Sequence, residues 1–204
     1  LFAPEDLQIV RGDPSSRRRF ADQLLIQRTP RMAAVLGDYD RVLKQRTALL
    51  KSARARGIRG DALTTLDVWD DKLVALGSEI IEARMRLASD LQQPLADAYT
   101  AIAGADHSPE LEWALSVRGG DPEEGEVEAS DSRGALADQF RAALQAKRTQ
   151  ELDRGLTLVG PHRDDVVLGL GEMPAKGYAS HGESWSFALG LRLAAYRLLQ
   201  HDLG

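Results

Sequence analysis

Apolar residues recur at steps of three and four along most of this chain, a spacing that predicts a mostly helical protein. After Thr29-Pro30, an N-cap followed by a first-turn proline, one helix face is marked by Met32, Val35 or Leu36, Tyr39, Val42 or Leu43, Arg46, Leu49 or Leu50, and Ala53. That helix is expected to stop at Gly57. Beyond the Gly57-Ile58-Arg59-Gly60 turn, Leu66, Trp69, Leu73, Leu76, Ile80, Ala83 and Leu87 alternate strictly by three and four, as in the seam of a coiled coil. Two long helices joined by so short a connection must run antiparallel. Residues 29–93 are therefore expected to form a hairpin roughly 40 to 48 Å long at 1.5 Å per residue. The alternative is that the same stripe packs as core against the rest of the protein.

Pro94 is expected to end or bend the second helix, with Leu95, Ala98, Tyr99 and Ile102 carrying the stripe on to Gly104. Leu111 to Arg118 predicts a strand, and the Gly-, Asp- and Glu-rich stretch from Gly119 to Ser132 a surface loop. Gly134 to Arg154 predicts a helix with Leu136, Phe140, Leu144 and Leu152 on one side. Thr157 to Leu168 is expected to form a strand, a charged Gly-Pro turn and a second strand. From Ser184 to Leu203, a last amphipathic helix is marked by Phe187, Ala188, Leu191, Ala194, Ala195 and Leu198.

Composition narrows the class without naming a function. At 204 residues, with 43% hydrophobic and 28% charged, the chain permits one substantial domain or two small ones. It has no cysteine, which excludes disulfides and thiolate metal sites, and its 4 histidines are too scattered to suggest a structural metal. No leader-like segment or membrane-length apolar run occurs, so a cytoplasmic protein without a membrane partner is expected. Charge is uneven: residues 1–60 carry 13 Lys and Arg against 6 Asp and Glu, and residues 61–204 carry 13 against 25. Arg17, Arg18, Arg19, Arg28 and Arg31, then Lys44, Lys51, Arg54, Arg56 and Arg59, are candidate phosphate contacts, or the solvated, acid-paired faces of ordinary helices.

The densest candidate chemistry is Ala179-Ser180-His181-Gly182-Glu183-Ser184-Trp185, which opens the last helix. The first backbone N–H groups of a helix lack internal partners and sit at the positive end of its dipole, which suits them to phosphate oxygens. Ser180 would add a hydroxyl. Ser180-x-x-Glu183 is equally a capping box, and the two readings coexist if Glu183 turns back onto the backbone. In the charged turn, Arg163 is placed to reach DNA or a partner subunit and Asp164-Asp165 to hold a cation, unless all three are plain turn residues. His162 lacks a second ligand at metal spacing, and Ser180 lacks a base and an orienting carboxylate, so neither a metal site nor nucleophilic catalysis is expected.

The Gly160-Pro161-His162-Arg163-Asp164-Asp165 run, followed by Lys176-Gly177-Tyr178-Ala179-Ser180-His181-Gly182-Glu183, resembles the RecF family of bacterial DNA repair proteins. Leu1-Phe2-Ala3-Pro4-Glu5-Asp6-Leu7, and Gly12-Asp13-Pro14 with Arg17-Arg18-Arg19-Phe20 and Asp22, carry the same resemblance, which thus spans the chain. Ser180 and Gly182 match the serine and second glycine of the ABC signature LSGGQ, whereas His181 replaces the first glycine and Glu183 the glutamine.

The resemblance implies an α+β, mostly helical fold. It would form part of an ABC-type ATPase head (residues 1–28 and 105–204) with a short antiparallel coiled-coil hairpin arm (29–104). It implies ATP with Mg2+ as cofactor, a nucleotide-dependent head-to-tail homodimer, and binding to DNA gaps where single and double strands meet. RecO and RecR are the implied protein partners, in loading RecA for recombinational repair and the SOS response. Ser180, His181, Gly182 and Glu183 would contact ATP held by the partner subunit, and Arg17, Arg18, Arg19 and Arg163 would contact DNA. The sequence holds no G-x-x-x-x-G-K-[ST] loop and no apolar strand ending in adjacent acids. In the family these lie before and after the matched residues, so the chain is expected to be an interior half of such a protein, with little ATPase activity alone. A rival reading is a non-enzymatic coiled-coil interaction module whose capping box is purely structural.

Overall fold

The structure, a computed structural model, describes residues 4–57, 64–105, 107–119 and 136–203. The expected turn beyond Gly57, most of the loop from Gly119 to Ser132, the helix start at Gly134 and residues Leu1 to Ala3 lie outside the described residues. In chain order the elements are α1 (Leu7–Arg11), α2 (Pro14–Arg28), α3 (Arg31–Ala55), α4 (Thr64–Ala103), β1 (Pro109–Ala114), α5 (Leu136–Arg154), β2 (Asp165–Leu170), β3 (Met173–Pro174), α6 (Ala175–Tyr178) and α7 (His181–Leu203). The class is α+β and mostly helical, as expected. No described helix is long and apolar enough to cross a membrane.

Two compact units divide the chain: one of Leu1–Pro30, Ala83–Trp113 and Asp165–Gly204, the other of Arg31–Glu82 and Ala114–Asp164. The division cuts α4 between Glu82 and Ala83. Residues 83–104, expected in the arm, thus fall in the first unit, and residues 114–164, expected in the head, fall in the second.

In the second unit, α3 buries Met32, Val35, Tyr39, Val42, Arg46, Leu50 and Ala53, settling each alternative left by the periodicity. α3 runs antiparallel to the start of α4, since Arg31 pairs with Glu79 while Arg46 pairs with Asp70. α5 packs on α3 and contributes buried Phe140, Leu144, Glu151 and Leu152. The core is thus shared by three helices, and Leu50, Ala53, Leu66 and Leu152 form one cluster within it. A helix with two neighbours buries a wider stripe than a two-stranded seam. Accordingly Leu66, Leu73 and Ile80 are buried as expected, Val74, Gly77 and Ile81 are buried beside them, and Trp69 and Leu76 stay half-buried. A Cβ on Gly77 would stand 2.5 Å from a Phe140 ring carbon, so the bare backbone is what lets α5 approach.

Of the two outcomes expected at Pro94, the helix does not end there: α4 runs through it to Ala103, with Leu91, Leu95, Ala98 and Tyr99 buried on both sides, so the missing N–H costs one bond in an otherwise well-packed helix. Two local expectations need correction. The strand expected at 111–118 is β1, at Pro109–Ala114, and Ser116–Arg118 instead form a 3-10 turn. There the Asp164 carboxylate takes both the backbone N–H and the hydroxyl of Ser116, each at 2.8 Å. Thr157 to Val159 form no strand, because side chains occupy the backbone that a neighbouring strand would need. Leu158 N donates to Glu151 Oε1 at 2.7 Å, and the Thr157 carbonyl is met by His162 Nε2 and Arg163 Nε, each at 3.2 Å.

In the first unit the sheet order is β1-β2-β3, with β2 antiparallel to β3 and Gly169 opposite Pro174. Phe20, Leu24 and Leu25 of α2, Leu95, Ala98 and Tyr99 of α4, and Phe187, Ala188, Leu191 and Ala194 of α7 are buried there. Gly190 brings α7 against α4, its missing Cβ falling 3.4 Å from the Tyr99 Cα. These contacts fix the start of α7.

Candidate nucleotide-contacting corner

The chain enters α7 through a turn that requires glycine: Gly177 has φ of 90°, a left-handed conformation costly for any residue with a Cβ. Ser180 then caps α7 as the sequence allowed. Glu183 N donates to Ser180 Oγ at 3.2 Å, and Ser180 N donates back to Glu183 Oε2 at 2.7 Å. The Ser180 bonds to Glu183 hold its carboxyl below the usual carboxylate range. Ser180, His181 and Gly182 are exposed, and nothing lies within 4 Å of where a Gly182 Cβ would stand. With Ser180 N and Glu183 N bonded inside the box, the amides of His181 and Gly182 have no acceptor among the described residues. Two free N–H groups therefore face open space at the positive end of a 23-residue helix.

Neighbouring side chains brace this corner. Trp185 Nε1 donates to His181 Nε2 at 2.7 Å; an indole can only donate, so the His181 proton sits on Nδ1. His107 Nδ1 lies 3.7 Å from Glu183 Oε1 and 3.0 Å from the Tyr99 hydroxyl. Burial, and then the charge of Glu183, push the Tyr99 hydroxyl up. Arg11 Nε donates to Ser184 Oγ at 3.1 Å, and that hydroxyl donates to the Ser180 carbonyl at 2.8 Å. Lys176 Nζ donates to the Gly12 carbonyl at 3.1 Å. Arg11, His107 and Tyr99 at this site were not legible in the sequence, because Arg11 is 173 positions from its partner and no local pattern joins them.

No protein-family model matches the chain. A DNA replication and repair protein RecF from Clavibacter sepedonicus is 58% identical over 213 residues, which cover 99% of this chain and 52% of that protein. The chain belongs to the RecF family. A RecF from Leifsonia xyli subsp. xyli is 56% identical over 206 residues, covering 99% of this chain and 54% of its own. The chain thus spans about half the length of the curated relatives it matches. The solved "Structure of the recombination mediator protein RecF-ATP in RecFOR pathway" aligns with 100% of this chain and 51% of its own at a TM-score of 0.85 and 25% identity. The fold is therefore that of RecF, an ABC ATPase-type protein.

Within this RecF-family fold, the residues expected to meet DNA differ in exposure. Arg17 is buried: its Nε and Nη2 each donate to Asp165 at 2.7 Å, and its Nη1 donates to the Gly12 carbonyl at 3.0 Å. A guanidinium so enclosed cannot reach a phosphate, which corrects its assignment as a DNA contact. Arg18 is half-buried and Arg19 exposed on α2. Arg163 is half-buried with its Nε on the Thr157 carbonyl. Of the wider basic set, Arg28 is held by Asp90 and Asp202, Arg31 by Glu79 and Lys44 by Asp40. Asp164 serves Ser116 and Asp165 serves Arg17, while His162 Nδ1 meets the Tyr39 hydroxyl at 2.8 Å. No group of three His, Asp or Glu among the described residues could hold a metal ion.

Proposed function

We propose that this chain is the part of an ATP-dependent DNA-binding RecF protein that senses a nucleotide held by a second subunit. The whole protein then acts in recombinational repair, replication and SOS induction at single-strand/double-strand gaps, where with RecO and RecR it helps load RecA. The observation that carries this reading is the exposed, capped start of α7 in a RecF-family chain. Ser180 Oγ accepts from Glu183 N and its hydroxyl bonds to the Glu183 carboxylate, which leaves the His181 and Gly182 amides as the open donors of this turn. Glu183, bonded back to Ser180 N, keeps its acceptors on the helix and away from that face.

ATP, when bound, supplies the phosphate oxygens these donors suit, and it joins two half-sites. The residues of this chain fit one half of such a site. They do not fit Mg2+, since the described residues offer no ligand cluster, and the metal is assigned to the nucleotide-holding half of the partner. The unit containing α7 is the head portion in this reading, and the unit of α3, the start of α4, and α5 is the arm. Arg19, Arg18 and Arg163 remain its DNA candidates.

The test is Ser180→Arg in the full-length protein that carries this chain. Sedimentation with a slowly hydrolysed ATP analogue should show a monomer where the unaltered protein dimerises, with an unchanged circular dichroism spectrum. A folded variant that still dimerises at the same nucleotide concentration defeats the proposal.

A further inference from the structure

Resting on the reading just given, we propose that Arg11 is a phosphate-contacting residue of the same corner, closing its guanidinium on the terminal phosphate of the partner-held nucleotide. Arg11 is exposed, yet it is not loose. Its Nε is fixed at 3.1 Å on the hydroxyl of Ser184, a wholly buried residue of the first turn of α7, and that hydroxyl is itself fixed on the Ser180 carbonyl. One edge of the guanidinium is thus anchored two hydrogen bonds from the capping serine, while Nη1 and Nη2 have no partner among the described residues.

Its charge is unspent as well. Arg17, Arg28, Arg84 and Arg192 of this unit each hold a carboxylate, whereas the Arg11 partner is a neutral hydroxyl. Lys176 repeats the pattern, its ammonium resting on the neutral Gly12 carbonyl, one residue beyond Arg11. Arg11 and Lys176 are thus two cations held on neutral oxygens, one on the first turn of α7 and one in the turn that leads into it, with no counter-ion among the described residues. An arginine held by Nε and presenting both Nη groups has the planar fork that grips a phosphate through two parallel N–H···O bonds, and the anchor removes most of the ordering entropy such a grip would cost. A DNA backbone phosphate offers the same chemistry, but the link through Ser184 to the capping turn ties Arg11 to the nucleotide face.

The test uses the full-length protein carrying this chain, with Arg11→Ala, Arg11→Lys, Ser184→Ala and Ser180→Arg, and a slowly hydrolysed ATP analogue as probe. Arg11→Ala should raise the protein concentration for half-maximal dimerisation at least tenfold while changing nucleotide-free DNA binding less than twofold. Arg11→Lys should recover part of the loss, because it keeps the charge but not the fork. Ser184→Ala should fall between wild type and Arg11→Ala and have no further effect when added to Arg11→Ala, the signature of a positioning residue. If Arg11→Ala dimerises as wild type while Ser180→Arg does not, the role of Arg11 is overturned and the corner survives. If both dimerise as wild type, the corner itself is overturned. A loss of DNA affinity with unchanged dimerisation moves Arg11 to DNA and also overturns the assignment. If Arg11→Ala melts early, Arg11→Lys decides by the same criteria.

Discussion

Arg46 is the most exacting test of how the three-helix unit is held. Its side chain is wholly buried, with Nε on Asp70 at 2.6 Å, Nη2 on Glu151 at 2.6 Å and Nη1 on Thr157 at 3.0 Å, and Glu151 is wholly buried too. Burial opposes the Arg46 charge, but Glu151 and Asp70 outweigh it and hold its pKa above the ordinary value. Burial raises Glu151, and Arg46 pulls it part of the way back. Arg46→Ala removes that restraint, leaving a carboxylate with no counter-charge inside the protein, a change that typically costs about 3–5 kcal/mol. Against the roughly 5–15 kcal/mol of a whole domain, that is enough to put the variant near its unfolding threshold. The loss must also depend on pH. With Arg46 gone, Glu151 takes a proton in the folded state at a pH where the unfolded chain does not, so the folded state binds more protons and gains stability as pH falls. Each unit between the two pKa values returns about 1.4 kcal/mol. Urea unfolding followed by circular dichroism should therefore show a larger Arg46→Ala loss at pH 7.5 than at pH 5.5. Arg46→Met with Glu151→Leu should cost less than Arg46→Ala alone, since neither charge is stranded. A loss under about 1 kcal/mol at pH 7.5, or one that does not shrink on acidification, would refute this account of the buried pair.

Gly160→Ala should lower the melting temperature, by an amount equivalent to about 1–3 kcal/mol, since the residue sits at φ of 129° and a Cβ there would stand 2.5 Å from the Tyr39 hydroxyl and 2.9 Å from a Phe140 ring carbon; an unchanged melt contradicts the packing described. Arg17 and Arg19, two residues apart and so on different faces of α2, should separate cleanly. Arg17→Ala costs about 3 kcal/mol of stability by stranding Asp165, whereas Arg19→Glu leaves the melt alone and lowers the salt-dependence slope of DNA binding by about one. A stable Arg17→Ala protein, or an Arg19→Glu protein with an unaltered slope, counts against the respective assignment. Glu183→Gln keeps an oxygen for the Ser180 N–H but removes a negative charge beside the corner, so nucleotide-dependent dimerisation should strengthen at low salt and converge with wild type at high salt. Weaker dimerisation of a well-folded Glu183→Gln protein would show that the carboxylate itself is needed.

Periodicity made the helices legible. On α3 it marked every buried position, including the charged Arg46, because a 3.6-residue repeat records which face is covered whatever covers it. It could not tell that α5 would be a third partner, so it assigned α4 a two-helix seam and left Val74 and Ile81 out. The strand errors have another origin. Thr157 to Val159 alternate like a strand, but Glu151, His162 and Arg163 supply partners for their backbone, and such long-range side-chain bonds leave no trace in local pattern. At the corner, the capping box was fully legible because its members are three residues apart. Arg11, His107 and Lys176 were not, since only the closing of the fold brings them to α7 or to one another.

The same distinction bears on what a family motif is. The runs that carry the RecF resemblance are rich in charged residues, which invites assigning them to DNA or nucleotide. Several of them hold the fold instead. Arg17 of the arginine triplet takes Asp165 of the second run in a two-point pair, Asp22 takes Arg84 through both its oxygens at 2.9 Å, and Asp6 takes Arg192 of α7. Each joins segments far apart in sequence, and each is a charge-assisted bond whose loss would strand a partly or wholly enclosed charge. Chemistry is then left to charged and polar groups whose partners are neutral or missing, and at the start of α7 these are the His181 and Gly182 amides, with Arg11 held on the Ser184 hydroxyl and Lys176 on the Gly12 carbonyl.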